Sequence, residues 1–147
     1  MNNLKEARNE YFTYEGRITR ETYVLRVLGR WAASIVVMII AYLLMFLIYS
    51  ITYANDNMFI TIIIFYPIAL LVGLTFFFFK IFQEMKRLHD MNSSGWGVIF
   101  GFIPLVNIIY YLLLIFNDGT VGPNEYGEDP KGRGPKTIEY EEKMETV

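Results

Sequence analysis

The sequence predicts an all-α integral membrane protein with three transmembrane helices. Three long runs contain no charged residue, at positions 31–52, 58–79 and 96–116, and about 20 apolar residues suffice for a helix to cross a bilayer. Hydrophobic residues make up 54% of the chain and charged residues only 19%, which is too apolar for a small soluble domain. We expect a single membrane domain at residues 1–130 and a tail at 131–147.

The residues before the first span are predicted to form a cytoplasmic amphipathic segment. Gly16 can take a positive φ in a turn, and the hydroxyl of Thr19 can cap a helix that begins at Arg20. The segment before this turn is either a short helix on the membrane surface or a frayed terminus, because it is short. Its apolar residues at helical spacing are Leu4, Ala7, Tyr11 and Phe12. No small-residue cleavage site follows, so the first span is expected to act as an uncleaved signal anchor.

The second span is predicted to return beside the first, because only residues 53–57 join them. Pro67 lies near its centre and should kink the helix, since proline lacks the N–H that a helix uses. The helical pattern continues beyond the apolar run to about His89, so this helix should project from the bilayer. Ser93 or Ser94 can then cap the next helix.

The third segment allows two topologies. Pro104 and Asn107 lie near its middle, and a turn there would make it a re-entrant hairpin. We expect a true span, because a hairpin exposes non-helical backbone at mid-depth unless protein shields it. Asn107 is the only strongly polar side chain deep in a span, where it either joins helices by hydrogen bonding or lines a pathway.

Small residues one helical turn apart predict two packing faces. Ala69 and Gly73 form one in the second span, and Gly97 and Gly101 form another in the third. Such pairs let helix backbones approach closely. We expect the Gly97/Gly101 face to support self-association or binding to another membrane protein.

The chain after the third segment changes character. Residues 118–130 are rich in Gly, Pro, Asn and Asp, which predicts consecutive tight turns. Residues 131–147 lack an apolar period and end in an acidic run, so a disordered tail is predicted.

The positive charges predict the orientation of the chain. Lys and Arg number six in residues 1–30, none in 53–57, three in 80–95 and four in 117–147. The positive-inside rule therefore places the N-terminus and residues 86–96 in the cytoplasm. Three spans put the tail outside, and the hairpin alternative returns it to the cytoplasm.

Three motifs carry a family resemblance. KRLHDMNSSGW at residues 86–96 is the central motif, YEGRITRETY at 14–23 the N-terminal motif and GTVGPNEYGEDP at 119–130 the C-terminal motif. In this order they resemble the bacterial inner-membrane family known as domain of unknown function 805 (DUF805). Lys86 stands where that family often has Arg, and Gly97 where it usually has a second Trp. The resemblance implies an inner-membrane location and names no activity.

The motifs supply the candidate binding or assembly site. We predict that Asp90 pairs with Arg17 or Arg20 and ties the N-terminal motif to the second helix. The cluster is either a site for anionic lipid or phosphate or a set of internal ion pairs. Its candidate residues are Arg17, Arg20, Lys86, Arg87, His89, Asp90 and Trp96. The candidate positions of the C-terminal motif are Gly119, Gly122, Pro123, Asn124, Tyr126, Gly127, Asp129 and Pro130.

The composition argues against several chemistries. With no Cys and one His, the chain cannot form thiolate sites, disulfides or multi-histidine metal sites. No nucleophile elbow, phosphate loop or dinucleotide motif occurs, so we expect no catalytic residue, no metal and no cofactor. A net charge of −2 gives no basic field for nucleic acid.

These observations predict a non-enzymatic membrane protein that acts by binding, as a scaffold or a regulator. One alternative is a small transporter or channel subunit that works as an oligomer, although uncharged spans argue against ion coupling. A second is an enzyme on lipid headgroups with His89 or Asp90 as its base. The expected partners are membrane lipids, anionic ones among them, and a second copy or another membrane protein.

Overall fold

A computed structural model describes residues 11, 13–53 and 58–135 of the chain. Its helices are α1 (Arg20–Tyr53), α2 (Met58–Asp90), a 3-10 helix (Gly95–Phe102) and α3 (Val106–Phe116). Within those residues the only β pairing is a single bridge between Asn124 and Gly127, so the predicted all-α class is confirmed. Leu4, Ala7 and Phe12 of the predicted amphipathic segment, most of the 53–57 link and the tail from residue 136 lie outside the described residues.

The start of α1 follows from its local sequence. Thr19 Oγ1 accepts a hydrogen bond from the Thr22 amide at 3.1 Å, which satisfies one of the free N–H groups of the first turn. In the preceding turn Gly16 has φ +86°, which residues with a side chain rarely adopt. Both features were predicted. α1 runs for 34 residues, or about 51 Å, and so exceeds the roughly 30 Å hydrocarbon core.

The end of α2 is a Schellman motif. Asn92 has φ +54°, its amide bonds the His89 carbonyl at 3.0 Å, and the Ser93 amide bonds the Leu88 carbonyl at 2.9 Å. These bonds satisfy carbonyls that lack partners at a helix end, and Asn tolerates the left-handed conformation. The helix includes Pro67 and ends at Asp90, so the predicted continuation to about His89 is confirmed, and the predicted kink at Pro67 stays a prediction.

Of the described helices, α1 and α2 are the two that are long and apolar enough to cross a membrane. No residue in the most apolar stretch of either helix is buried within the protein. Such surfaces suit contact with lipid, because lipid tails are as apolar as the exposed side chains.

The third apolar segment is not the continuous helix predicted at residues 96–116. The 3-10 helix forms its first half and α3 its second, and between them Leu105 has φ +68°. Pro104 favours the break, because it cannot continue a helix and restricts the residue before it. α3 has 11 residues, or about 17 Å, too short to cross a bilayer. The expected third spanning helix is therefore not observed.

The described residues form two compact units. Residues 11–26 and 79–135, which hold all three motifs, form the polar unit, and residues 27–53 and 58–78 form the apolar unit. The hydrophobic core of the polar unit consists of Ile18, Tyr23, Leu88, Val98, Tyr110 and Leu114. The apolar unit holds a groove lined by side chains of both α1 and α2.

Candidate functional site

Arg17 joins the N-terminal motif to both other motifs. Its side chain is 1% exposed and pairs with Asp90, with 3.1 Å between Nη2 and Oδ1. Nη1 donates to the carbonyls of Gly122 and Gly127 at 2.8 and 3.2 Å, and Nη2 donates to the Thr120 carbonyl at 2.7 Å. The five donors of a guanidinium form a rigid planar fork, which here holds three segments together. This is one of the two pairings predicted for Asp90.

Arg87 fixes the end of α3. It is fully buried, and its Nε donates to the Leu114 carbonyl at 2.9 Å. Nη2 donates to the Asn117 carbonyl and Nη1 to Asp90. The last carbonyls of a helix have no partner within the helix, and a cation near them is favourable. Arg87 therefore anchors the C-terminal end of α3 beside the end of α2.

Asp90 is shared by the two arginines and by the C-terminal motif. Its backbone carbonyl accepts hydrogen bonds from the Thr120 amide at 2.8 Å and from the Thr120 hydroxyl at 3.1 Å. Gly119 passes so close that an added Cβ would lie 2.0 Å from Asp90 Oδ2, so a residue with a side chain does not fit there. Burial lowers the pKa of Arg87 and raises that of Asp90, and their mutual attraction opposes both shifts.

His89 also contacts both flanking motifs. Its Nδ1 lies 3.3 Å from the Gly16 carbonyl, so we assign the proton to this nitrogen, because a carbonyl can only accept. Its ring stacks on Tyr126 with 3.9 Å between centroids and 3° between planes, and its carbonyl accepts from Asn124 Nδ2 at 2.9 Å. Burial lowers the pKa of His89; the Gly16 carbonyl opposes this shift and the Lys86 charge adds to it.

The C-terminal motif is closed by ion pairs with the residues that follow it. Asp118 accepts from Lys131 Nζ at 2.9 Å and from Arg133 Nη1 at 3.0 Å, and Asp129 accepts from Arg133 Nε at 2.8 Å. The hydrogen bond from Lys131 lowers the pKa of Asp118. Burial alone would raise the pKa of Asp129, but the Lys131 amide and Arg133 outweigh it and lower the pKa.

These ion pairs extend beyond Pro130, where the predicted membrane domain ends. Lys131 and Arg133 were assigned to a disordered tail, but they belong to the folded polar unit, which the structure describes to residue 135. The rest of the predicted tail lies outside the described residues.

Two of the predicted site residues, Arg20 and Trp96, do not join the Arg17–Asp90 cluster in the part of the chain that the structure describes. Arg20 makes no hydrogen bond or ion pair with any described residue. Lys86 is buried in α2, and its carbonyl accepts from the Ile18 amide at 3.4 Å. Trp96 is 79% exposed at the start of the 3-10 helix, where its amide is capped by Ser94 Oγ.

The packing residues also differ from the prediction. An added Cβ on Gly97 would lie 3.0 Å from Leu88, and one on Gly101 would lie 3.1 Å from Tyr110. Both glycines therefore contact side chains inside the polar unit, a role that was not predicted, and the external packing face itself stays a prediction. Asn107 is half-buried in the first turn of α3, and its side chain bonds none of the described residues. Ala69 and Gly73 line the groove of the apolar unit.

Sequence analysis missed a second polar layer, on α2 of the polar unit. The buried Glu84 pairs with Lys80 at 3.2 Å and accepts a hydrogen bond from Tyr110 Oη at 3.5 Å. Gln83 Oε1 accepts from Arg26 Nη1 at 2.7 Å, and Gln83 Nε2 donates to the Tyr11 carbonyl at 3.0 Å. The signal was present in the sequence, because Gln83 and Glu84 lie one turn from Lys80 in the helical continuation of α2 beyond its apolar run.

The polar groups of this site are used by the chain itself. Among the described residues, no buried side-chain nitrogen or oxygen lacks a hydrogen-bond partner. The same residues contain no group of three or more His, Asp or Glu positioned to hold a metal ion. The arrangement can therefore hold chain segments in register, because its charged groups pair with one another and with backbone carbonyls.

Comparison with known protein families identifies the family of this chain. The family described as a protein of unknown function, DUF805, matches residues 11–128. The chain belongs to the DUF805 family. The matched region includes the N-terminal motif, the central motif and most of the C-terminal motif, as the sequence resemblance implied.

Two curated Escherichia coli K12 proteins are similar to part of this chain. Inner membrane protein YhaI is 42% identical over 48 residues, which are 32% of this chain and 40% of YhaI. Inner membrane protein YhaH is 36% identical over 50 residues, 33% of this chain and 40% of YhaH. The match thus spans about two-fifths of each relative. No solved structure matches the chain.

Proposed function

We propose that this DUF805 protein is a binding or scaffolding component of the bacterial inner membrane and not an enzyme. The observation that carries the proposal is the closed Arg17–Asp90 cluster, in which Arg17 and Arg87 pair with Asp90 and Arg17 also binds carbonyls of the C-terminal motif. A catalytic base or ligand site needs polar groups directed at a substrate. Asp90, one base of the enzyme alternative, is committed to Arg17 and Arg87. His89, the other, uses its Nδ1 for the Gly16 carbonyl and its ring face for Tyr126.

The proposed topology has two spans and a re-entrant hairpin. Gly95 at the start of the hairpin lies against His89, and Asn117 at its end is bound by Arg87. Both ends therefore meet the last two turns of α2, whereas a crossing would separate them by about 30 Å. With this topology all 13 Lys and Arg residues of the chain lie on one side of the membrane, which is the cytoplasmic side by the positive-inside rule.

The surface proposed for protein binding is the exposed apolar side of the hairpin. Trp96, Leu105 and Phe116 are between 71% and 79% exposed, and each is too large and apolar to be favourable in water. At membrane depth this surface meets lipid or the helices of another protein. We propose a second copy or another membrane protein as its partner, and an inner-membrane location like that in the names of YhaI and YhaH.

Site-specific photo-crosslinking in native membranes tests the proposal. A photoreactive amino acid at Trp96 should give a discrete protein adduct, and the same amino acid at the fully buried Leu114 is the matched control and should give none. Adducts with bulk lipid alone would count against a protein partner. If liposomes containing the protein also showed a solute flux that Asn107→Leu abolished, the transporter alternative would replace the binding proposal.

A further inference from the structure

The groove of the apolar unit has the dimensions of a lipid-chain site. Its volume is about 330 Å³, within the range of about 300–1,000 Å³ typical of small-molecule pockets. On α1 it extends from Ser34 to Ile48, which is about 21 Å of helix. Half of the hydrocarbon core is about 15 Å deep, so the groove covers the depth of one leaflet.

Small residues keep the groove open. Ala41 lines it from α1, and Ala69 and Gly73 line it from α2. An added Cβ on Gly73 would meet no atom within 4 Å, so the space beside this glycine is not filled by the described residues. Ser34 is the one polar lining residue, and its hydroxyl already donates to the Trp31 carbonyl at 2.8 Å.

One end of the groove carries a positive charge. The half-buried positions of α1 in this unit include 30, 34, 37, 41 and 48, and this spacing puts Arg30 one turn before Ser34 on the same face. Arg30 makes no hydrogen bond or ion pair with the described residues. The neighbouring Trp31 is 59% exposed, as is typical of tryptophans at headgroup depth.

We propose that this groove binds one acyl chain of an anionic phospholipid whose phosphate is held by Arg30. Charge complementarity selects this occupant, because a guanidinium suits phosphate and the groove beside it is apolar over one leaflet. A second copy docked symmetrically here would bring two Arg30 side chains to the same depth, and like charges repel. The proposal rests on α1 spanning the membrane, as proposed above. It does not depend on the proposed protein partner.

The test is lipid retention by the full chain. Protein reconstituted in vesicles of equal parts phosphatidylglycerol and phosphatidylcholine is extracted in mild detergent, and the bound lipids are counted by native mass spectrometry. The wild type should retain phosphatidylglycerol preferentially. Arg30→Gln should reduce that preference about fivefold, the effect of one charge near an anionic surface, and Arg30→Lys should keep most of it. Gly73→Leu should remove retention by filling the groove.

Gly29→Leu is the matched control for Gly73→Leu. Both glycines lie in helices of the apolar unit and would meet no atom within 4 Å as alanine, but only Gly73 lines the groove. Equal retention of the two lipids by the wild type, or equal loss in both glycine variants, would overturn the proposal. So would a lipid-free dimer that Gly73→Leu dissociates, which would assign the groove to a second copy. Lipid retention without the Trp96 adduct would support this site and reject the proposed protein partner.

Discussion

The polar unit buries charged side chains, whereas the apolar unit exposes hydrophobic ones. Among the described residues, the polar unit buries the polar or charged side chains of Gln83, Glu84, Lys86, Arg87, His89, Asp90 and Asp129. In the apolar unit the described residues from 27 to 78 include a single charged one, Arg30. A surface in lipid needs few specific partners, but loops folded beside a membrane need donors for their carbonyls. Substitutions in the polar unit should therefore cost more stability than similar substitutions in the apolar unit.

The largest effect is expected for Arg17→Met. The Asp90 carboxylate would lose one of its two cationic partners, and the carbonyls of Thr120, Gly122 and Gly127 would lose their donor. Breaking a buried pair costs about 3–5 kcal/mol, so the C-terminal motif should become sensitive to protease and the polar unit should unfold at a lower temperature in detergent. Arg17→Lys keeps the charge without the planar fork, so its unfolding temperature should lie between those of the wild type and Arg17→Met. Unchanged protease resistance in Arg17→Met would show that the cluster does not hold the segments.

Two glycine substitutions compare the units directly. Gly119→Ala places a Cβ 2.0 Å from Asp90 Oδ2, and such overpacking costs about 1–3 kcal/mol. Gly29→Ala meets no atom within 4 Å and should stabilise α1 by about 0.5–1 kcal/mol, because glycine is the more flexible residue. Opposite shifts of the thermal midpoint would support the comparison. Equal shifts would mean that the two units do not differ in the way proposed.

A smaller effect is expected at Tyr126. Its ring stacks on His89, and aromatic pairs contribute about 0.5–1.5 kcal/mol beyond their buried area. Tyr126→Leu should therefore expose the C-terminal motif slightly to protease, while Tyr126→Phe, which keeps the ring, should behave like the wild type. A phenylalanine variant as sensitive as the leucine variant would assign the contribution to the hydroxyl instead of the stack.

The smallest effect concerns pH. Burial puts the pKa of His89 below its usual 6.5, so the unfolded chain binds more protons than the folded one. Stability from this group is present above pH 6.5 and is lost as pH falls from 6.5 to the lowered pKa. The lowered pKa values of Asp118 and Asp129 act only below their usual 3.8. The raised pKa of Asp90 acts in the opposite direction, because this carboxyl destabilises the fold as pH rises through its folded pKa. From about pH 8 to about pH 5, His89→Gln should therefore lose less protease resistance than the wild type. A variant with the wild-type pH profile would contradict the assignment.

Much of the architecture could be predicted because it depends on local signals. The uncharged runs at 31–52 and 58–79 lie within α1 and α2, and Thr19 caps α1 as predicted. The length of the third segment could not show whether it forms one continuous helix, because its structure depends on tertiary contacts. Arg87 holds the end of α3, and Gly101 packs on Tyr110. Neither contact leaves a periodic signal.

Part of the site could also be predicted from signals in the sequence. Opposite charges and the motif resemblance were enough to predict the pairing of Asp90 with an arginine. Sequence could not show that Arg17 would be chosen over Arg20, since the choice depends on carbonyls of the distant C-terminal motif. Lys131 and Arg133 were missed because composition alone assigned them to a tail, whereas their roles depend on Asp118 and Asp129.

In the proposed topology the hairpin brings the C-terminal motif back to the side of the membrane that holds the central motif. The chain contains no Cys, so single cysteines can report on this claim without background. Val121 is 66% exposed and Ser93 is also exposed, which suits both positions for labelling with a membrane-impermeant maleimide. Asn55→Cys, in the link between α1 and α2, reports on the opposite side.

With this topology, Val121→Cys and Ser93→Cys should both be labelled only after the cytoplasmic side is opened, while Asn55→Cys should be labelled in intact cells with a permeabilised outer membrane. Labelling of Val121→Cys together with Asn55→Cys, and not with Ser93→Cys, would contradict the hairpin and restore a third membrane crossing.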